Sequence, residues 1–96
     1  MALIEVAVEA YQDLDRIRGF VATTDLDAGK ILRGILACLR VLEHTPEMGR
    51  PAFEGLRELV ILQGRAGYLA LYQYDPVRDV VLVLRIRHQR EVGYPD

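Results

Sequence analysis

The chain has 96 residues, 51% of them apolar and 27% charged, with 12 basic against 14 acidic side chains and a formal net charge of −2. That length accommodates one hydrophobic core, and the apolar share is too high and the charge too small for a disordered chain. A single cysteine, Cys38, excludes a disulfide framework and a cysteine-rich zinc module, and serine, asparagine and tryptophan do not occur at all.

The first ten residues carry Glu5 and Glu9 where a secretory leader needs a basic start and an apolar run, and no apolar run is longer than that from Val80 to Leu84. That run is far shorter than the ~20 residues needed to span a bilayer, so a cytoplasmic protein is expected, without membrane contact. Eleven of the twelve basic residues are arginine. Arginine codons of a GC-rich genome explain such a bias as a whole, although each guanidinium is also a planar fork suited to anions. Residues 1–56 carry net −3 and residues 57–96 net +1, so the second part is mildly the more basic.

Leu3 to Val8 alternates, with Ile4, Val6 and Val8 on one face and Glu5 on the other, and predicts a half-buried strand. From about Ala10 the period changes to that of a helix. Ala10, Leu14, Ile17 and Val21 form its apolar stripe, leaving Asp13, Asp15, Arg16 and Arg18 outside. Thr24 with Asp27 resembles a capping box opening a second helix. That helix is expected to bury Ile31, Ile35, Cys38 and Leu42 and to stop near Glu43, because Pro46 disfavours helical backbone at Thr45. Residues 45–55, with two prolines and two glycines, predict a loop.

Three strands are expected after that loop: Leu56 to Gln63, Tyr68 to Tyr74 and Val80 to about His88, with turns at Gly64 to Gly67 and from Asp75-Pro76. The second is apolar on both parities except at Gln73, the mark of a central strand. The order β-α-α-β-β-β implies a single α+β domain over residues 1–96, with an antiparallel helical hairpin packed on one face of a small, mostly antiparallel sheet. The other face is then free for a ligand or partner.

The last strand holds the strongest chemical signal. Simple alternation turns Val80, Leu82, Leu84 and Ile86 toward the helices and Val81, Val83, Arg85 and Arg87 toward the open face. His88 and Arg90 follow directly, Arg57 and Arg65 bracket the neighbouring strand, and Tyr94 closes the tail. A basic, tyrosine-flanked sheet surface suits a phosphate backbone or an acidic partner. It equally suits solvated strand ends that resist edge-to-edge pairing. A histidine among arginines favours its neutral ring, which can act as a base or an acceptor. Cys38 sits at core spacing, and two histidines 44 residues apart, with no nearby carboxylate motif, give no support for a metal site or cofactor.

The run Gly49-Arg50-Pro51, Gly55-Leu56-Arg57-Glu58-Leu59-Val60, Gly67-Tyr68, Leu71-Tyr72 and Val83-Leu84-Arg85-Ile86-Arg87-His88-Gln89-Arg90-Glu91 resembles the RelE/ParE family of bacterial toxins, the plasmid stabilisation proteins of type II toxin–antitoxin modules. Asp13-Leu14 and Ile17 in the first helix extend the resemblance over most of the chain. The resemblance implies a growth-inhibiting protein neutralised by a cognate antitoxin, as a toxin–antitoxin hetero-oligomer or a homodimer. Two mechanisms occur in that family. RelE-like members cut messenger RNA on the ribosome, and the positional match would then make Arg57 and Arg65 phosphate stabilisers and His88 the acid or base. ParE-like members bind DNA gyrase without cutting, and Arg85, Arg87, Arg90 and Tyr94 would then contact the target. The ending His88-Gln89-Arg90, Gln73 where an arginine is common, and the scarcity of lysine resemble the ParE-like branch more. A toxin-fold binding module without toxicity is the third reading.

Overall fold

A computed structural model describes the backbone of residues 1–22, 28–63 and 66–95, and their side chains except those of 20–22, 28 and 63. The elements are β1 (Leu3–Val6), α1 (Val8–Ala22), α2 (Ala28–Leu39), β2 (Arg50–Pro51), β3 (Arg57–Gln63), β4 (Ala66–Asp75) and β5 (Val80–His88). They form an α+β fold in which one five-stranded sheet, ordered β1-β5-β4-β3-β2, carries both helices. β1 runs parallel to β5, and the other neighbours are antiparallel. Among the described residues no helix is long and apolar enough to cross a membrane.

β1 is shorter than its alternation suggests, because the Ala7 carbonyl already accepts the N–H groups of Ala10 and Tyr11 and starts the helix. Val8 therefore lies at the head of α1, two-thirds exposed, instead of at the end of a strand. Ala10, Leu14 and Ile17 are buried as the helical stripe requires, while Val21 and the Thr24/Asp27 cap fall where no side chain is described. Asp13, expected on the wet face, is 4% exposed.

The chain leaves α2 through a 3-10 turn, Arg40–Glu43, that brings Leu42 into the core beside Ile35 and Leu39. Burying each of those three contributes about 1.5–3 kcal/mol. Cys38 only borders the core and Leu36 faces solvent, so the buried stripe runs through Leu39 rather than Cys38. The Thr45 hydroxyl donates to the Val41 carbonyl at 2.9 Å and closes the turn before Pro46. The loop that follows is not featureless. Arg50 and Pro51 pair with Glu58 and Arg57 as a short edge strand, and Phe53–Gly55 forms a second 3-10 turn.

The helices cover Leu59 and Ile61 of β3, Tyr68, Ala70 and Tyr72 of β4, and Val81, Val83 and Ile86 of β5. The first two sets alternate; the third breaks step between Val83 and Ile86. The cause is a β-bulge: Tyr72 pairs with Val83 but Leu71 with Arg85, so Leu84 has no partner across the ladder. The expected alternation therefore fails for Val80, Leu82 and Leu84, and Val81 and Val83 are the fully buried pair. Beyond the bulge the parity inverts, which places Arg85 and Arg87 opposite Leu71 and Leu69 on the sheet face away from the helices. That face is not free. The tail after β5 folds back across it, bringing Tyr94 to Glu58 of β3. The turn expected from Gly64 falls partly outside the described residues.

Candidate functional site

β5 outlasts its parallel neighbour. β1 ends opposite Val83, so residues 84–88 form an open edge whose amide and carbonyl groups need partners. α1 supplies them with side chains. The Asp13 carboxylate accepts the Ile86 N–H at 2.8 Å, and Arg16 donates to the Ile86 carbonyl at 3.2 Å, standing in for the missing strand. Arg85 closes a two-pronged contact on the same carboxylate, from Nε at 2.8 Å and Nη2 at 3.1 Å. One step on, Glu91 accepts the His88 N–H at 2.8 Å and pairs with Arg16.

Burial alone would push the Asp13 carboxyl up, but hydrogen bonds from Arg85, the Ile86 amide and Arg16 outweigh it and hold it below the usual carboxylate range. Glu91 is lowered in the same way: its burial is outweighed by Arg16 and the His88 amide. The Arg16 guanidinium is raised, its burial being overcome by Glu91 and Asp13. A buried carboxylate with this many donors remains charged, and the ion network welds α1 to the end of β5.

On the opposite sheet face the tail is clasped. Gly93 takes a left-handed backbone (φ 71°), which lets the chain reverse and lay Tyr94 over the arginines. The guanidinium carbons of Arg87 and Arg85 lie 5.2 and 5.6 Å from the Tyr94 ring centre. The Tyr94 hydroxyl donates to Glu58 at 2.8 Å, Arg85 donates to the Pro95 carbonyl and Arg87 to the Glu91 carbonyl. Burial and the Glu58 carboxylate push the Tyr94 phenol up, while Glu58 is lowered because Arg50, Tyr94 and the nearby Arg87 charge outweigh its burial. The Arg87 Nε is buried without a hydrogen-bond partner, so ring stacking takes the place of one bond at this position.

The structure thus brings together Arg85, Arg87 and Tyr94, and sets His88 and Arg90 beside them at the end of β5. The His88 ring meets Tyr68 edge-on at 5.2 Å, and its Nδ1 accepts the Arg90 N–H at 3.0 Å, so the proton of the neutral ring sits on Nε2. Arg90 is exposed, and its guanidinium meets no carboxylate among the described residues.

Arg57 is elsewhere. It pairs with Tyr72, whereas His88 pairs with Tyr68, four positions along β4. At ~3.3 Å per residue the two are about 13 Å apart along the strand alone. Arg57 donates to the carbonyls of Glu47 and Gly49 at 3.1 and 2.8 Å and so pins the loop before β2. Arg65 lies outside the described residues. Arg57 and His88 are therefore not convergent. Among the described residues no group of three histidine, cysteine or acidic side chains could hold a metal ion.

Four contributors were not evident from residue patterns. Asp13 and Arg16 flank the α1 stripe, and their proximity to it was the available signal; Glu58 and Glu91 gain their roles from the path of the tail, for which spacing offers no sign.

A family model described as ParE toxin of type II toxin-antitoxin system, parDE, matches residues 4–93. A curated protein named Toxin RelE3, from Caulobacter vibrioides, is 29% identical over 92 residues, covering 95% of this chain and 98% of its own. Among solved structures, a chain of the chromosomal ParDE system from P. aeruginosa superposes with a TM-score of 0.77 at 22% identity, covering 92% of this chain and 96% of its own. A chain of the RelBE2 toxin–antitoxin complex from Mycobacterium tuberculosis gives 0.66 at 22% identity, with 92% and 98% covered, the same fold again. With the family model spanning nearly the whole molecule, and the expected element order found with only the short β2 added, the chain belongs to the RelE/ParE family of type II toxin–antitoxin toxins.

Proposed function

We propose that this toxin arrests growth by binding DNA gyrase in the cytoplasm, in the manner of ParE, and that a cognate antitoxin neutralises it. The observation that carries the reading is the use made of the arginines. Arg85 and Arg87 hold the tail in place through Tyr94 and the carbonyls of Pro95 and Glu91. Arg57, meanwhile, serves loop carbonyls at the other end of the sheet. Cleaving RNA requires an acid–base pair and phosphate-stabilising cations around one reacting phosphate. Blocking a protein target requires a rigid, shaped surface, and the clasped tail with Arg90 on its outer side supplies one. In this reading Arg90 touches the target, and Arg85, Arg87 and Tyr94 position the segment that carries it. No cofactor or metal is called for.

The competing reading is a ribosome-dependent messenger RNA endoribonuclease using Arg57, Arg65 and His88, and the RelE name of the Caulobacter relative favours it. One pair of measurements separates the two. The chain is induced briefly without antitoxin, new transcript 5′ ends are mapped, and the purified chain is added to a gyrase supercoiling assay. Intact transcripts with supercoiling blocked, and the block weakened about tenfold in Arg90→Glu, are expected. New 5′ ends inside reading frames that vanish in His88→Ala would overturn the proposal.

A further inference from the structure

The outer edge of β3 is left open where β2 ends. β2 pairs with β3 only at Arg57 and Glu58, while β4 occupies the other side of β3 along its whole length. Two bonds show which backbone groups the open stretch presents. The Ala52 N–H donates to the Leu56 carbonyl at 2.8 Å, so Leu56 turns its polar groups toward the β2 side. Strand alternation turns those of Glu58, Val60 and Leu62 the same way. From across the ladder, the Gly67 carbonyl accepts the Gln89 N–H, which turns Gly67 toward β5, and Leu62, its partner on β3, therefore also faces outward. Glu58 has Arg50 opposite it. The N–H and C=O groups of Val60 and Leu62 face no strand among the described residues.

The side chains repeat the pattern. Val60 is 42% exposed and Leu62 68%, whereas Leu59 and Ile61 are buried beneath the helices. Leu59 to Leu62 hold no charge and no proline, the residues that usually keep an edge strand from pairing. The opposite edge of the sheet is guarded, because β1 displays the exposed Glu5.

We infer that this edge is where a second copy of the chain docks, β3 against β3, antiparallel, about a two-fold axis at Ile61. That register sets Val60 opposite Leu62 of the partner subunit, and Leu62 opposite Val60 of the partner subunit. All of these residues face outward, so each pair exchanges both of its N–H···O bonds and every open group of the stretch finds a partner. The same axis lays the exposed valine and leucine side chains against each other and brings no like charges together. A two-fold contact needs a segment that is its own complement, and Leu59 to Leu62 is one. An acidic or basic peptide would find no counter-charge there. One short strand pair lies below the ~1,200 Å² of stable complexes, so the dimer is weak, with a dissociation constant of about 10–100 µM. The contact does not depend on which target the toxin meets.

The test is sedimentation equilibrium of the purified chain between about 1 and 500 µM, where a monomer giving way to a dimer is expected. Val60→Lys combined with Leu62→Lys sets like charges against each other at both pairs and is expected to weaken association about tenfold or more. Val60→Lys combined with Leu62→Glu sets opposite charges there and is expected to associate at least about tenfold more tightly than the first combination. Both positions are exposed, and thermal unfolding checks that each variant is folded. Amide exchange gives a second reading. The Val60 and Leu62 amides should slow as concentration rises, while that of Ile61, which faces β4, stays the same. A chain that is monomeric throughout, or equal association of the two combinations, would overturn the inference. So would Val60 and Leu62 amides that slow only when the antitoxin is added, since the edge would then belong to that partner.

Discussion

The two ends of the sheet use the same side chain for opposite purposes. At the loop end, Arg57 donates to two carbonyls, and the Tyr72 hydroxyl beside it donates to the Pro46 carbonyl and accepts the Gly49 N–H, each at 2.8 Å. Those bonds satisfy backbone groups of a loop, and the carboxylate that meets Arg57 there, that of Glu47, lies 3.7 Å away. At the tail end, Arg85 and Arg16 meet carboxylates more than 70 residues away in sequence, and Arg87 stacks under a tyrosine. The loop end is fixed mainly by hydrogen bonds to backbone groups, with Arg50–Glu58 as an exposed-side ion pair, and the tail end mainly by buried charge. Mutations and pH should therefore act on them differently.

The largest effect is expected at Asp13. Asp13→Ala strands the Ile86 N–H at an edge with no replacement strand, and removes the counter-charge of Arg85. Breaking a buried pair on one side costs about 3–5 kcal/mol, against a total stability for such a domain of about 5–15. Urea unfolding should show a loss of about 3 kcal/mol or more. A loss below ~1 kcal/mol would mean that water, and not Asp13, satisfies that edge.

The same contrast predicts a pH dependence. Asp13, Glu58 and Glu91 all have carboxyls lowered in the folded state, from ordinary values of 3.8 for Asp and 4.5 for Glu. Depressed values stabilise the fold above the ordinary range, and that contribution is lost as pH falls through the folded values. The melting temperature should therefore drop below about pH 4. Asp13→Asn should flatten the drop, because one of the three groups no longer titrates. An unchanged acid limb in Asp13→Asn would assign the acid sensitivity to other carboxylates.

At the loop end the test is Tyr72→Phe. It removes a donor to Pro46 and the acceptor of the Gly49 N–H, and is expected to cost about 2 kcal/mol, with no change in the acid limb. Gly49 cannot grow to compensate, since a Cβ there would lie 2.6 Å from the Tyr72 ring. A changed acid limb in Tyr72→Phe would erase the distinction between the two ends.

Legibility followed the same division. The α1 stripe, the central position of β4 and the span of β5 could be read from periodicity, because burial on one face imposes a period that the chain must display. The parity of β5 could not. A bulge adds one residue at a place that only the register against β4 determines, and Val81 and Val83 are as apolar as Leu82 and Leu84. Asp13 stands next to the stripe without belonging to it, and becomes buried because β1 ends early beside it. β2 was missed because two residues carry no periodicity, and one of them is a proline held at the edge. The clasp of Tyr94 on Glu58 joins residues 36 apart through a tail with no repeating pattern. Long-range polar contacts of that kind leave no trace in spacing.

The smallest effect is also the most local. Tyr94→Phe keeps the ring over Arg85 and Arg87 and removes only the bond to Glu58. Residues 91–95 contribute none of the buried core, so global unfolding should move by no more than about 1 kcal/mol. Amide exchange should report more, with the tail's amides exchanging about fivefold faster while those of β5 are unchanged. The phenol itself gives a second reading. Its ionisation is raised in the folded state from an ordinary value of 10.0, so the clasp is intact below that pH and is released as pH rises through the folded value. Burial raises the Tyr68 and Tyr72 phenols as well, and the bond to Asp79 that of Tyr74, so phenolate absorbance should lose one of several late-titrating tyrosines in Tyr94→Phe. If Arg90 reaches gyrase only because the tail is clasped, Tyr94→Phe should weaken gyrase inhibition in proportion to the faster exchange. Full inhibition with a loosened tail would mean that the target orders the segment itself, and that the clasp serves folding alone.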